Sequence, residues 1–325
     1  MPRKAWFALV AVLVTVSLLA LMLGATSVAP GDVWRALVGG GTDDATRAIV
    51  RTVRLPRVAL ALLVGGALGM SGSVMQATLR NGLAEPYLLG VSGGAAVGAV
   101  LAVAMGVSAP ALIALAAFGG ALLAVAGVLA LTRAAGTRGD TRLLLMAGVV
   151  VGAFANAVIM VMMATATPDI TRNALWWMMG SVAGAGWRDV VLLTATLGGV
   201  GLLLGHRARE LDVLALGGDT AESLGVDVVR AARRFFILAS LLAATTVAVA
   251  GLVGFVGLMV PHLARALTSG RARATLLASA LGGASLVVAA DLAARTVRAP
   301  SELPLGAVTA LLGVPFFLWR LREGR

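Results

Sequence analysis

There is no cysteine anywhere in this chain of 325 residues. Disulfides, thiol nucleophiles and thiolate metal sites are excluded. Histidine is nearly as scarce, with only His206 and His262, too few for a histidine-based metal cage. Lysine occurs once, as Lys4, so 25 of the 26 basic residues are arginine. A phosphate-binding loop of the form GxxxxGK[ST] needs a lysine that this chain does not place there, so it is not its own ATPase of that class. Charge as a whole is thin, at 13% of residues, against about 25% in a soluble domain. Apolar residues take its place: 59% of the chain is hydrophobic and the mean hydropathy is +0.97. Such a composition cannot be hidden in a water-soluble core, and the chain belongs in a bilayer. The net charge of +11 raises nucleic acid as a partner. The charges sit in short loops between apolar runs, however, where they set topology and meet lipid headgroups.

Charge-free runs cover residues 5–31, 58–79, 86–132, 143–168, 173–187, 190–205, 235–264, 274–290 and 303–319. A helix needs about 20 apolar residues to cross the hydrocarbon core. The run 86–132 holds two spans, divided by GVSAP at 106–110. The run 235–264 contains Gly251, Gly254 and Gly257. Glycine costs about 1 kcal/mol in a helix interior, so this cluster predicts a break between two spans. The run 173–187, with Trp176, Trp177 and Trp187, is too short to cross and suits an interfacial helix. The N-terminus has the basic start (Arg3, Lys4) and the Ser27-x-Ala29 of a signal peptide. Its apolar core of about 18 residues exceeds the roughly 7–15 of such signals, so it reads as a retained first span. The prediction is an all-α polytopic membrane protein of ten spans, one domain over 1–325.

An even number of spans puts both termini on one side. That side collects the more numerous and more evenly spread arginines, among them Arg80, Arg133, Arg142, Arg207, Arg209, Arg230, Arg233, Arg234 and Arg271, and is therefore cytoplasmic. The segment 25–57 becomes an extracytoplasmic loop. It ends in RAIVRTVRLPR, where Arg47, Arg51, Arg54 and Arg57 recur at helical spacing close to one face. Together with Arg295 it breaks the positive-inside tendency. Either a genome rich in arginine codons tolerates one basic outer loop, or an acidic protein or ligand docks there from outside. On the opposite side, 206–234 is the largest segment between spans. ELDVLAL (210–216) fits a short helix stopped by Gly217-Gly218. DTAESLG fits a second, with Asp219 as N-cap, Glu222 completing a capping box and Gly225 just past the end. Asp291 and Arg295 are spaced to pair along one helix. GGALGMSGS (65–73) allows close helix approach. His262 reads as a packing or capping residue, and Met160, Met162 and Met163 either line a path or face lipid. No chain of intramembrane carboxylates is present for a proton relay. This argues against the alternative class, a secondary transporter driven by an ion gradient, and places the energy source in another subunit.

Five stretches carry a resemblance. RLPR (54–57), GALGMSGSVMQATLRNGLAEPYLLGVSGGAAVGA (66–99), LGGDTAESLGV (216–226), GLVGFVGLMVPHLAR (251–265) and ELPLGAVTALLGVPFFLW (302–319) occur in the order and spacing of the FecCD-type permeases. These are the membrane subunits of ABC importers for ferric siderophores, haem and cobalamin, and the chain resembles them over nearly its whole length. The resemblance implies the type II permease fold in a bacterial plasma membrane and a homodimer around the translocation path. It further implies two cytoplasmic ATP-binding subunits, an extracytoplasmic binding protein, and a cargo that is a ferric siderophore or, alternatively, cobalamin or haem. No cofactor and no catalytic residue is implied, because ATP is hydrolysed by the partner. Arg54, Arg57 and Arg295 match arginines that salt-bridge to glutamates of the binding protein, a task suited to a bidentate guanidinium fork. Gly217, Gly218, Ala221, Leu224 and Gly225 match the coupling helices that seat in the ATPases. Asn81 and Leu83, with Asp140 and Thr141, match the cytoplasmic gate. The family usually has proline where this chain has Gly82, which implies a looser gate loop.

Overall fold

The computed structural model describes residues 3–136, 141–268 and 270–323, and no strand occurs among them. The chain starts with α1 (Arg3–Met22) and α2 (Pro30–Val38). Next come α3 (Asp44–Ala48), a π-helical stretch (Ile49–Arg54) and α4 (Leu55–Thr78). These last three form one apolar helical run of 35 residues. The segment 25–57 is thus largely helical rather than an irregular loop, and the helix that holds the second span begins well before the charge-free run does. After a 3₁₀ turn (Pro86–Leu89) come α5 (Val91–Ala104), α6 (Pro110–Ala134), α7 (Thr141–Thr165), α8 (Pro168–Met178) and α9 (Trp187–His206). Two short helices follow, α10 (Ala208–Ala215) and α11 (Gly218–Ser223), then α12 (Val228–Ala250), α13 (Val256–Leu267), α14 (Ala272–Thr296) and α15 (Leu305–Glu323).

Among the described residues, seven helical runs are long and apolar enough to cross a membrane. Three shorter apolar helices accompany them: Val91–Ala104, Val256–Leu267 and Leu305–Phe316. The expected ten spans therefore correspond to ten apolar segments, of which three are short. The glycine cluster breaks the chain as expected. Gly251 has φ 68°, Phe255 follows at φ 66°, and α13 starts directly after. At 12 residues, α13 reaches only about 18 Å, so 235–264 yields one full span and one partial helix. The Trp-bearing α8 is short, at 11 residues, but covers Pro168–Met178 rather than 173–187, and Trp187 is instead the first residue of α9.

The fold is organised around α4, which is the most deeply buried of the long helices and packs against α14, α12, α13 and α9. Its contact with α14 depends on two glycines. A Cβ on Gly65 would lie 2.0 Å from the Gly283 carbonyl oxygen, and one on Gly283 would lie 2.1 Å from that of Gly65. No other residue allows the two backbones to meet so closely. Helices α5, α6 and α7 form a second packed group, joined to the first through α12. With 24 residues, α4 is about 36 Å long, so its termini mark two ends of the bundle. Arg54 and Arg57 stand at one end and Arg80 at the other.

Candidate functional site

At the first end, α4 and the last turns of α14 bring Arg54, Arg57, Asp291 and Arg295 together. The last carbonyls of an α-helix have no intrahelical partner and lie at the negative end of its dipole. Two guanidinium groups take those of α1. Arg54 Nη1 donates to the Leu21 and Met22 carbonyl oxygens, both at 2.8 Å, and its Nη2 donates to Thr26. Arg295 Nη2 donates to the Ala20 carbonyl oxygen. Arg51 does the same for α2, donating to the carbonyl oxygens of Ala36 and Leu37. Arg47 pairs with Asp44 at 2.9 Å.

Arg57 has a different environment. Its Nε donates to Asp291 Oδ1 and Oδ2 at 3.0 and 3.1 Å, and its Nη2 to Asp291 Oδ1 at 2.8 Å. The outer edge of the same fork holds Glu302, with Nη1 to Oε1 at 2.7 Å and Nη2 to Oε2 at 2.8 Å. Asp291 also lies 3.5 Å from Arg295 Nε, the one hydrogen-bonding atom of that guanidinium left buried without a partner. Arg54, Arg57 and Arg295 are 4%, 6% and 5% exposed. The structure therefore gathers the three arginines, as the sequence led one to expect, but turns them inward. The spacing of Asp291 and Arg295 anticipated their pair. It could not anticipate Arg57 as the main partner of Asp291, 234 positions away, or the part played by Glu302. The Arg57 hydrogen bonds hold the Glu302 carboxyl below the ordinary carboxylate value.

At the Arg80 end, α10 and α11 fold back on the bundle. Glu210 binds Arg234 at 2.9 Å and Arg207 at 3.2 Å. Asp212 accepts the Ala272 N–H at 2.6 Å and so caps α14. Gly217 joins the two short helices at φ 123°, a conformation open essentially to glycine alone. The N-cap of α11 is Gly217, without a side-chain cap, and Asp219 lies inside the first turn. The capping box expected of Asp219 and Glu222 does not form, because the N-cap falls two residues earlier, at Gly217. Gly225, at φ 81°, closes α11 by donating to the Glu222 carbonyl oxygen at 2.9 Å, while Val226 donates to that of Ala221 at 3.0 Å. Ala221 is fully buried, whereas Leu216 and Leu224 are 65% and 59% exposed.

The loop after α4 lies beside these helices. Asn81 Oδ1 accepts the Leu83 N–H at 2.9 Å, an Asx turn that leaves Leu83 exposed. No atom lies within 4 Å of a Cβ built on Gly82, so space does not demand a glycine there. A cavity of about 460 Å³ separates this loop from α10, lined among others by Gln76, Arg80, Asn81, Leu211, Asp212 and Arg265. Two side chains tie the region to the helix break. Gln76 donates to the Gly257 and Leu258 carbonyl oxygens at 3.2 and 3.0 Å. Glu85, buried, accepts the Phe255 N–H at 2.8 Å. Neither contact was readable from the sequence. Of the second gate segment, Thr141 opens α7 and Asp140 lies outside the described residues. His262 packs edge-on against Phe316, ring centroids 6.5 Å apart. Among the described residues no cluster of His, Asp and Glu could hold a metal ion.

Comparison with known proteins places the chain in a family. The chain is 39% identical to the hemin transport system permease protein HmuU of Yersinia pestis, over 100% of this chain and 98% of that one. It is 41% identical to the cobalamin import system permease protein BtuC of Halobacterium salinarum, over 87% and 76% of the two chains. With the vitamin B12 import system permease protein BtuC of Escherichia coli it shares 40% identity over 95% and 93%. Among solved structures it matches an inward-facing conformation of a putative metal-chelate type ABC transporter, with a TM-score of 0.88 and 26% identity over 98% and 99% of the chains. These relatives are permease subunits rather than enzymes, and the model of the FecCD transport family matches residues 12–323. The chain belongs to the FecCD transport family, as a membrane-embedded permease of the ABC importer type.

Proposed function

We propose that two copies of this chain enclose a path for a metal chelate, with ATP hydrolysed by separate subunits and cargo delivered by a binding protein at the opposite end of the bundle. The observation that carries the reading is the contrast along α4. One end holds a buried arginine cluster, and the other presents Leu216 and Leu224 to solvent on two short helices. Exposed leucines on a rigid pair of helices suit seating in a groove of another protein. Gly217, Gly218, Ala221 and Gly225 set the turn and the packing that hold them there. On this reading the Arg80 end is cytoplasmic, as are both termini, and the membrane is a bacterial plasma membrane. Leu83 and Asn81, with Thr141 and Asp140, narrow the cytoplasmic mouth of the path. Motion of α10 reaches that mouth through the Asp212 cap on α14 and the cavity wall shared with Arg80 and Asn81.

The named relatives move haemin and cobalamin, which favours a tetrapyrrole or corrinoid metal chelate over the ferric siderophore that the family resemblance implied first. The siderophore is the alternative cargo. Uptake by the permease, its ATPase and its binding protein in sealed proteoliposomes tests all three, with haemin, cyanocobalamin and ferrichrome supplied outside and ATP inside. ATP-dependent accumulation of one of them fixes the cargo. Accumulation that follows an imposed ion gradient without ATP would instead favour the secondary transporter.

Arg54, Arg57 and Arg295 are the proposed contacts for carboxylates of the binding protein. Arg54 and Arg295 hold the end of α1, so their part is chiefly to keep the surface in shape. Arg57, whose outer edge meets a half-exposed partner, is the residue placed to receive a carboxylate.

A further inference from the structure

Of the two carboxylates on Arg57, one is fixed and the other is not. Asp291 is 2% exposed on a packed helix, shared between Arg57 and Arg295. The Glu302 side chain is 38% exposed and lies on the connection between α14 and α15. The residue after it is pinned, because Leu303 donates to the Ala294 carbonyl oxygen at 2.8 Å. The residues before it, 297–301, are exposed. Among the described residues, Arg57 alone hydrogen-bonds the Glu302 carboxylate.

We infer that Glu302 is an internal stand-in for a partner's carboxylate, occupying the outer edge of Arg57 until an acidic protein displaces it. The inference rests on the docking role proposed for Arg57 and adds the competitor that docking must overcome. Charge balance supports it. Arg57 and Arg295 pair with Asp291 and Glu302, two charges against two, and Arg54 on the preceding turn, spent on the carbonyls of α1, adds one positive charge in excess. If Glu302 swings out, a buried guanidinium loses half its partners, a costly state that an incoming carboxylate of the same geometry relieves. Exchange of one carboxylate for another needs no rearrangement of Arg57 or Asp291. It also frees the 297–302 strap next to α15, so the arrival of a partner is felt by a membrane helix.

The test uses full-length permease in nanodiscs with its ATPase, titrated with the extracytoplasmic binding protein of its own transport system. Glu302→Gln keeps the size and one hydrogen bond but removes the competing charge, and Glu302→Ala removes the side chain. Both should tighten binding, by up to about fivefold for removal of a half-exposed ionic competitor. Arg57→Lys keeps the charge but loses the fork, and should weaken binding at least tenfold. A second readout needs no partner: phenylglyoxal modification of Arg57, followed by peptide mass spectrometry, should rise severalfold in Glu302→Ala. If Arg57→Lys weakens binding while both Glu302 variants leave it unchanged or weaker, the stand-in is overturned and the dock survives. If Arg57→Lys binds as wild type does, the dock itself is overturned, whatever the Glu302 variants do. Unchanged phenylglyoxal reactivity in Glu302→Ala counts against the stand-in in either case.

Discussion

The two ends of α4 solve opposite problems. At the Arg57 end, charged groups are buried and joined to each other and to helix carbonyls. At the Arg80 end, apolar leucines are held out in solvent on α10 and α11. The first arrangement gives strength within the chain and leaves little free for a partner, apart from the edge covered by Glu302. The second contributes little within the chain and offers a ready surface. Substitutions should therefore separate the ends cleanly, with stability lost at one and partnership lost at the other.

The largest expected effect is at the buried end. Asp291→Asn leaves Arg57 and Arg295 with a neutral partner in place of their shared carboxylate. Removing one member of a buried ion network costs about 3–5 kcal/mol, readable as a lower unfolding midpoint of the purified permease in detergent. A loss below about 1 kcal/mol would mean that the cluster is solvated and the contrast between the ends false. Next comes Leu224→Asp. At this exposed position the permease alone should be unaffected within about 0.5 kcal/mol. Burying an unpaired carboxylate at an apolar contact costs more than the about 1–3 kcal/mol of an unpaired neutral polar group, so ATPase assembly should weaken by about a hundredfold or more. A normal complex, measured by co-purification and cargo-stimulated ATP hydrolysis, would show that Leu224 does not face the partner. Gly217→Ala should be smaller, about 1–3 kcal/mol, because alanine is forced into a backbone region reserved for glycine. Its effect should appear as faster hydrogen exchange in 208–223 and not at the Arg57 end.

Much of the scaffold was legible because bilayer spans advertise themselves. Long runs without charge gave the number of apolar segments, Gly106 the turn after α5, and the glycines of 251–257 the break before α13. The length of α13 was not legible, since an apolar run gives no sign of where a helix inside it starts. The site was half legible. Spacing put Arg54 and Arg57 on one stripe, the family resemblance added Arg295, and Gly217 and Gly225 stood out as turn residues that the structure places at positive φ. What spacing could not supply was direction. Arg47, Arg51, Arg54 and Arg57 share a helical stripe in sequence, yet each is directed to a different partner: Asp44, the end of α2, the end of α1 and the acids of α14 and its following loop. The π-helical stretch Ile49–Arg54 alters the turn between them, and the helix ends that attract them are fixed only once α1 and α14 have packed. A basic patch without neighbouring acids thus reads as a surface in sequence, although much of it serves the chain's own helix termini.

The smallest effect is also the most local. Arg57 holds the Glu302 carboxyl below its ordinary value of 4.5, chiefly through their hydrogen bonds. A carboxyl depressed in the folded state contributes stability above its unfolded value. That contribution fades as pH falls through the lower, folded value. The 297–302 strap should therefore exchange its amide hydrogens slowly near neutrality and faster as the pH falls below the ordinary value of 4.5, after correction for the intrinsic rate. Residues 218–223, measured in the same experiment, supply a reference from the opposite end. In Glu302→Gln the strap should be faster than wild type near neutrality and should have lost the acid-dependent step. A step that persists in Glu302→Gln would assign it to another group. A strap already as fast as the variant at neutral pH would mean that Glu302 does not hold it, and the outer edge of Arg57 would then be open to a partner at all times, as the leucines of α10 and α11 are at the other end.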